Sequence, residues 1–121
     1  AGREGESHVR SSSQIRISIN PKTGKLADVG YLPDWKSVKK HPDTGFLFEG
    51  TVISGFKKCR ETVVQLHKRI PQVAAIGWDI SIDRAGRIRI MEWNSGHNGI
   101  DFSQAVDGPL FAGLGWEDLW R

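Results

Sequence analysis

The stretch from Gly77 to Asn94 sets the tightest limit on what this chain can fold into. Gly77-Trp78-Asp79-Ile80-Ser81-Ile82 and Ile88-Arg89-Ile90-Met91-Glu92-Trp93-Asn94 alternate apolar and polar residues around the polar turn Asp83-Arg84-Ala85-Gly86-Arg87. Period-two alternation on both sides of a Gly-bearing turn specifies a β-hairpin. An even-numbered loop centred on Ala85-Gly86 sets Arg84 against Arg87, Ile82 against Arg89 and Asp79 against Glu92. Asn94 then follows two residues on, pointing the same way. Like charges opposed on paired strands stand about 4.5–5.5 Å apart at Cβ and destabilise a sheet. A cation between them removes the repulsion. Asp79, Glu92 and Asn94 together offer oxygen ligands of the kind a hard ion such as magnesium takes, alongside waters and phosphates. A three-residue loop with Gly86 as a left-handed bulge fits the same residues. That loop moves the register by one, sets Asp79 against Met91 and turns Glu92 to the other face. The carboxylates are then merely solvated surface groups, and spacing alone leaves both readings open.

At 121 residues the chain has room for one domain with a modest core. Its 38% hydrophobic and 26% charged residues are globular values. The net charge of +3 is spread along the chain rather than blocked, which argues against a nucleic-acid surface. A single cysteine, Cys59, excludes an internal disulfide and fits a reducing compartment. No apolar run reaches membrane-spanning length and no signal peptide is visible, so a cytoplasmic location is expected.

Residues 1–13, rich in Gly, Ser and charge, read as a flexible N-terminal segment. Ile15, Ile17 and Ile19 alternate with polar residues in a strand over 14–20. Asn20 to Lys25 is a turn, and Leu26 to Leu32 a second strand. Pro33 to Gly45 reads as an irregular loop. Phe56, Cys59, Val63, Leu66 and Ile70 then recur at intervals of three and four, an amphipathic helix ended by Pro71. Its Lys- and Arg-rich side reads as a solvated face, and Cys59 on the apolar stripe as a small packing residue rather than a nucleophile. After the hairpin comes Ser95-Gly96-His97-Asn98-Gly99, a loop beside the carboxylates in which His97 can contact phosphate or exchange a proton. Asp101 is placed as the cap of a short helix through Ala105, and Pro109 as the start of the last helical turns. Trp116, Leu119 and Trp120 read as packing residues, with Trp78 and Trp93 on the sheet face opposite the carboxylates.

Trp78-Asp79 followed by Glu92-Trp93-Asn94 resembles the metal-binding end of ATP-grasp enzymes. The sequence is most similar to the sugar-transfer-associated ATP-grasp proteins found with bacterial surface-polysaccharide genes. That resemblance extends to Thr23-Gly24-Lys25-Leu26, His41-Pro42-Asp43-Thr44-Gly45, Phe48-Glu49-Gly50, Ile76-Gly77-Trp78-Asp79-Ile80, Gly108-Pro109-Leu110-Phe111 and Gly113-Leu114-Gly115-Trp116. It implies that Asp79 ligates one magnesium, Glu92 bridges two, and Asn94 completes a site for the terminal phosphates of ATP. It also implies that the loop carrying His97 and Asn98 lines the phosphate or substrate pocket, and that a carboxylate or sugar-related substrate is activated there. No catalytic residue is assigned. Relatives outside the subfamily carry an Arg where this chain has Gly77.

The fold expected is α+β: an antiparallel sheet of four or more strands with one long helix packed on one face, resembling the C-terminal lobe of ATP-grasp. Residues 14–121 are expected to form that lobe in part, without a counterpart of the earlier lobe. The expected function is that of a Mg–ATP-binding lobe of a ligase-type protein of surface-polysaccharide synthesis, incomplete and inactive on its own. The alternative is a non-enzymatic interaction module built on the same scaffold. The carboxylate face is expected to carry Ile88 and Ile90 as apolar neighbours. Burying them calls for a homo-oligomer or a missing lobe supplied in trans.

Overall fold

The computed structural model describes residues 14–96 and 98–115. Three strands come first: β1 (Arg16–Ile19), β2 (Leu26–Tyr31) and β3 (Ser37–Val38). Helix α1 (Phe56–His67) follows, then β4 (Gly77–Ile82), β5 (Ile88–Asn94) and helix α2 (Asp101–Asp107). The architecture is α+β with antiparallel pairing throughout, but the strands form two sheets and not one. One has the order β1-β2-β3, the other is the pair β4-β5. The expected single sheet of four or more strands is therefore corrected. The expected irregular loop after Pro33 also contains a strand, because β3 pairs Val38 with Gly30 and Ser37 with Tyr31.

The turn joining β1 to β2 is built by Asn20, whose Oδ1 accepts the N–H groups of Lys22 and Thr23 at 2.9 and 3.1 Å. Gly24 closes it at φ 74°, and a Cβ there would fall 2.7 Å from atoms of Phe56. Only glycine fits that backbone region and that contact together. The Ile15, Ile17, Phe48 and Gly30 side of the first sheet forms the core. Ile15 and Phe48 are buried, and a Cβ on Gly30 would sit 2.8 Å from Ile17 and 3.1 Å from Phe48. Phe48 is delivered by His41-Pro42-Asp43-Thr44-Gly45. The buried His41 ring accepts the Asp43 and Thr44 N–H groups at Nδ1 (3.2 and 3.3 Å), while the His41 N–H donates to the Phe46 carbonyl. The imidazole thus replaces water for a tight turn's orphan donors.

α1 begins after Gly55, which lies in the left-handed region at φ 77°. Phe56, Cys59, Val63 and Leu66 are half-buried, so the apolar stripe is where the spacing places it. The helix closes at His67, three residues before Ile70. Beyond it the bonds tighten to i→i−3, Arg69 N–H to Leu66 O and Ile70 N–H to His67 O, as Pro71 excludes a further helical turn. None of its residues is fully buried, so its sides are open rather than sunk in a core. α2 starts one residue earlier than expected: Ile100 occupies the cap position and Asp101 lies in the first turn without a capping bond. There its charge still suits the helix dipole. The Ser18 hydroxyl donates to Asp107 Oδ1 at 2.5 Å and ties α2 to β1. After Gly108 the chain makes turns over residues 110–113 rather than the helix expected from Pro109. Trp116, Leu119, Trp120 and residues 1–13 lie outside the described residues.

Candidate functional site

The β4–β5 hairpin turns through Arg84-Ala85-Gly86. The Gly86 N–H donates to Asp83 O at 2.8 Å, the Asp83 N–H donates to Arg87 O at 3.0 Å, and Gly86 takes φ 73°. This is the three-residue loop with a left-handed glycine. Asp83 stiffens it from within: Oδ1 accepts the Ala85 and Arg87 N–H groups, both at 2.9 Å, and Oδ2 meets Arg87 Nε at 2.8 Å. Those bonds from Arg87 hold the Asp83 carboxyl below its ordinary value.

The loop sets Ile82 against Ile88, Ser81 against Arg89 and Ile80 against Ile90. Continued outward, that register would pair Asp79 with Met91. Instead β5 bulges by one residue, Met91, which is left unpaired opposite the step between Asp79 and Ile80. Beyond it Asp79 faces Glu92, Trp78 faces Trp93 and Gly77 faces Asn94. Each of the two registers legible in the sequence is therefore realised, one in each half of the hairpin. The bulge returns Glu92 to the face of Asp79. Asp79, Glu92 and Asn94 share that face and all three are exposed.

The same bulge corrects the expected surroundings. Ile88 and Ile90 pair with Ile82 and Ile80, so they share the face of Trp78 and Trp93 and do not neighbour the carboxylates. Trp78 and Trp93 stack across the strands with centroids 6.3 Å apart, on the side opposite the carboxylates. A parity break in the sequence signals all this: apolar residues fall on even positions at Ile88 and Ile90 and on an odd one at Trp93. Met91 is where the phase changes, and it is 70% exposed.

Asn98 reaches back to the start of β4, where its Oδ1 accepts the Gly77 N–H at 3.0 Å. A Cβ at residue 77 would lie 2.5 Å from that oxygen, so Gly77 is required for Asn98 to close on the strand. With Oδ1 committed, the Nδ2 group of Asn98 is the part left for a ligand. Asn98 also lines an open groove of about 560 Å³ with Gln72, Val73, Ser95, Ile100 and Phe111. His97 lies outside the described residues. Among the described residues no group of three His, Cys, Asp or Glu side chains converges on one point, so any cation here rests on two carboxylates plus amide oxygen. The donor set is all oxygen, which fits a hard divalent ion and not a soft one. Cys59 stands apart from it on α1, and burial pushes its thiol up, away from nucleophilic character.

Sequence reading missed Trp35. It lies in a turn with φ 64°, the one non-glycine residue of positive φ among those described, and forms an aromatic cluster with Tyr31 and Phe102. No helix among the described residues is long and apolar enough to cross a membrane.

Comparison with known proteins yields one family. The profile of the sugar-transfer associated ATP-grasp proteins matches residues 7–114. No curated protein and no solved structure matches the chain.

Proposed function

Since the chain belongs to the sugar-transfer associated ATP-grasp family, we propose that the Asp79, Glu92 and Asn94 face is the magnesium end of an ATP-binding, ligase-type site serving surface-polysaccharide synthesis. The observation that carries this reading is the pairing of Asp79 with Glu92 on one exposed sheet face, with neither carboxylate in an ion pair among the described residues. Two unneutralised acids in direct opposition are unfavourable unless a cation joins them. Asp79 and Glu92 would hold the magnesium through their carboxylates, and Asn94 would add its amide oxygen beside the terminal phosphates. When bound, the metal offsets phosphate charge, so that catalysis is positioning and electrostatics. Asn98, anchored on Gly77, borders the nucleotide. The substrate class is a small carboxylate or a sugar-related acceptor.

A second lobe, or a second copy of this chain, covers the hairpin in the working protein, and we place that protein in the cytoplasm. Supporting the need for cover is the apolar strip of Ile90, Met91 and Trp93, all exposed. It lies on the tryptophan side and at the bulge, so the partner packs behind the ligand face rather than over it.

Calorimetric titration of the chain with magnesium and ATP tests the reading, with Glu92→Ala and Asp79→Asn as controls. Magnesium-dependent heat is expected from the unaltered chain and not from either variant. Equal or absent heat in all three would leave a non-enzymatic interaction module on the same scaffold.

A further inference from the structure

Trp35 occupies a backbone position that its side chain opposes. The Leu32 N–H donates to Lys36 O and the Trp35 N–H to Leu32 O, both at 3.0 Å. Pro33-Asp34-Trp35 therefore forms the same three-residue loop as Arg84-Ala85-Gly86, with tryptophan where the other loop has glycine. A bulky residue at positive φ is a real outlier, and such strain persists where the side chain is needed. The ring is held yet not hidden. It lies 5.9 Å from Tyr31 and stacks on Phe102 at 6.1 Å, and Arg16 caps the Phe102 ring at 6.0 Å, but Trp35 remains 53% exposed. Burial alone would have drawn it further in.

We propose that Trp35, backed by Tyr31 and Phe102, is a stacking platform for a pyranose ring, a carbohydrate-binding site separate from the Asp79–Glu92 face. The negative π-face of an indole attracts the polarised axial C–H groups on one side of a glucose-type ring. The ring's hydroxyls then need donors and acceptors beside the platform, and its two sequence neighbours supply both. Asp34 and Lys36 pair at 2.8 Å and stay exposed, so the carboxylate keeps lone pairs for hydroxyl protons and the ammonium keeps protons for hydroxyl oxygens. An apolar protein partner would meet a charged rim here instead of an apolar one. A nucleobase is commonly gripped between facing rings or read along its edge, and Phe102 already stacks on Trp35.

Titration of the whole chain with cellotetraose, followed by NMR of the tryptophan indole and backbone amide signals, tests this site. Saturable shifts are expected at Trp35, Asp34 and Lys36 and not along the β4–β5 hairpin. Trp35→Gly, which suits the loop's backbone, should weaken binding about tenfold, with the spectrum unchanged away from Tyr31 and Phe102. Asp34→Ala, which keeps the ring, should weaken it less. Absence of shifts in the unaltered chain overturns the proposal, as does binding undiminished in both variants. Adenosine monophosphate shifting these residues at concentrations where cellotetraose does not would also overturn it, in favour of a nucleobase platform.

Discussion

Two hairpin loops of this chain share one backbone design and solve its central difficulty in opposite ways. Arg84-Ala85-Gly86 and Pro33-Asp34-Trp35 each close with an i→i+3 bond and put the third residue in the left-handed region, at φ 73° and φ 64°. In the first, glycine meets the geometry at no steric cost and the loop is a hinge for the strands. In the second, tryptophan meets it against a penalty of roughly 1–2 kcal/mol and the loop becomes a mount for an aromatic ring. A loop of identical shape can thus serve either the strands or its own side chain. The residue at the left-handed position tells which.

The two sheets differ in depth as well, and the largest expected effect lies there. Phe48 is packed under β1-β2-β3, whereas every residue of β5 beyond Ile88 is exposed. Phe48→Ala should cost about 3–5 kcal/mol, the range for truncating a buried aromatic. Denaturant unfolding will register it as a fall in midpoint. A cost below that of any single change in β4–β5 would contradict the placement of the core. Next in size is Gly86→Val, expected to destabilise by about 1–3 kcal/mol, since a β-branched residue resists positive φ most. Heteronuclear NMR should show the loss as disorder of the bulge register, with Asp79 and Glu92 no longer opposed.

Much of this was legible in the residues, and what was not had a local cause. Alternating isoleucines gave β1, the three-and-four spacing gave α1, and the facing of Asp79 with Glu92 followed from counting outward from the turn. That count reached the right pair through a loop other than the one it assumed. The real loop has three residues, and the bulge at Met91 restores the register. The error surfaced at Ile88 and Ile90, which the structure moves to the tryptophan face. A single sheet was expected because period-two patterns report strands and say nothing of which strands join. Nothing in the sequence marks Trp35, because positive φ is anticipated at glycine or asparagine and not at a bulky residue. The metal roles proposed for Asp79, Glu92 and Asn94 and the nucleotide contacts proposed for Asn94, His97 and Asn98 rest on family membership, and the carboxylate pair offers a test that needs no turnover. Glu92→Gln removes a like charge from direct opposition. Without divalent ions it should stabilise the chain by about 0.2–1 kcal/mol. Saturating magnesium should raise the melting temperature of the unaltered chain and leave that of Glu92→Gln nearly fixed, because a ligand that binds only the folded state stabilises it. A variant that gains as much from magnesium as the parent would remove the metal from this face.

The smallest expected effect bears most directly on the two loops. Trp35→Gly relieves the backbone penalty of roughly 1–2 kcal/mol and gives up ring contacts with Tyr31 and Phe102, worth about 0.5–1.5 kcal/mol each. Extra flexibility in the unfolded chain subtracts a little more. The opposing contributions nearly cancel, so thermal unfolding should shift by no more than ~1 kcal/mol equivalent. The reciprocal change, Gly86→Trp, has no neighbouring rings to recover its cost: a Cβ at residue 86 meets nothing within 4 Å. It should therefore destabilise by at least the strain itself. If both substitutions cost the same, the tryptophan at position 35 is ordinary packing. If Trp35→Gly is near neutral while Gly86→Trp is costly, the indole is retained for what it presents to solvent, because stability alone does not require it.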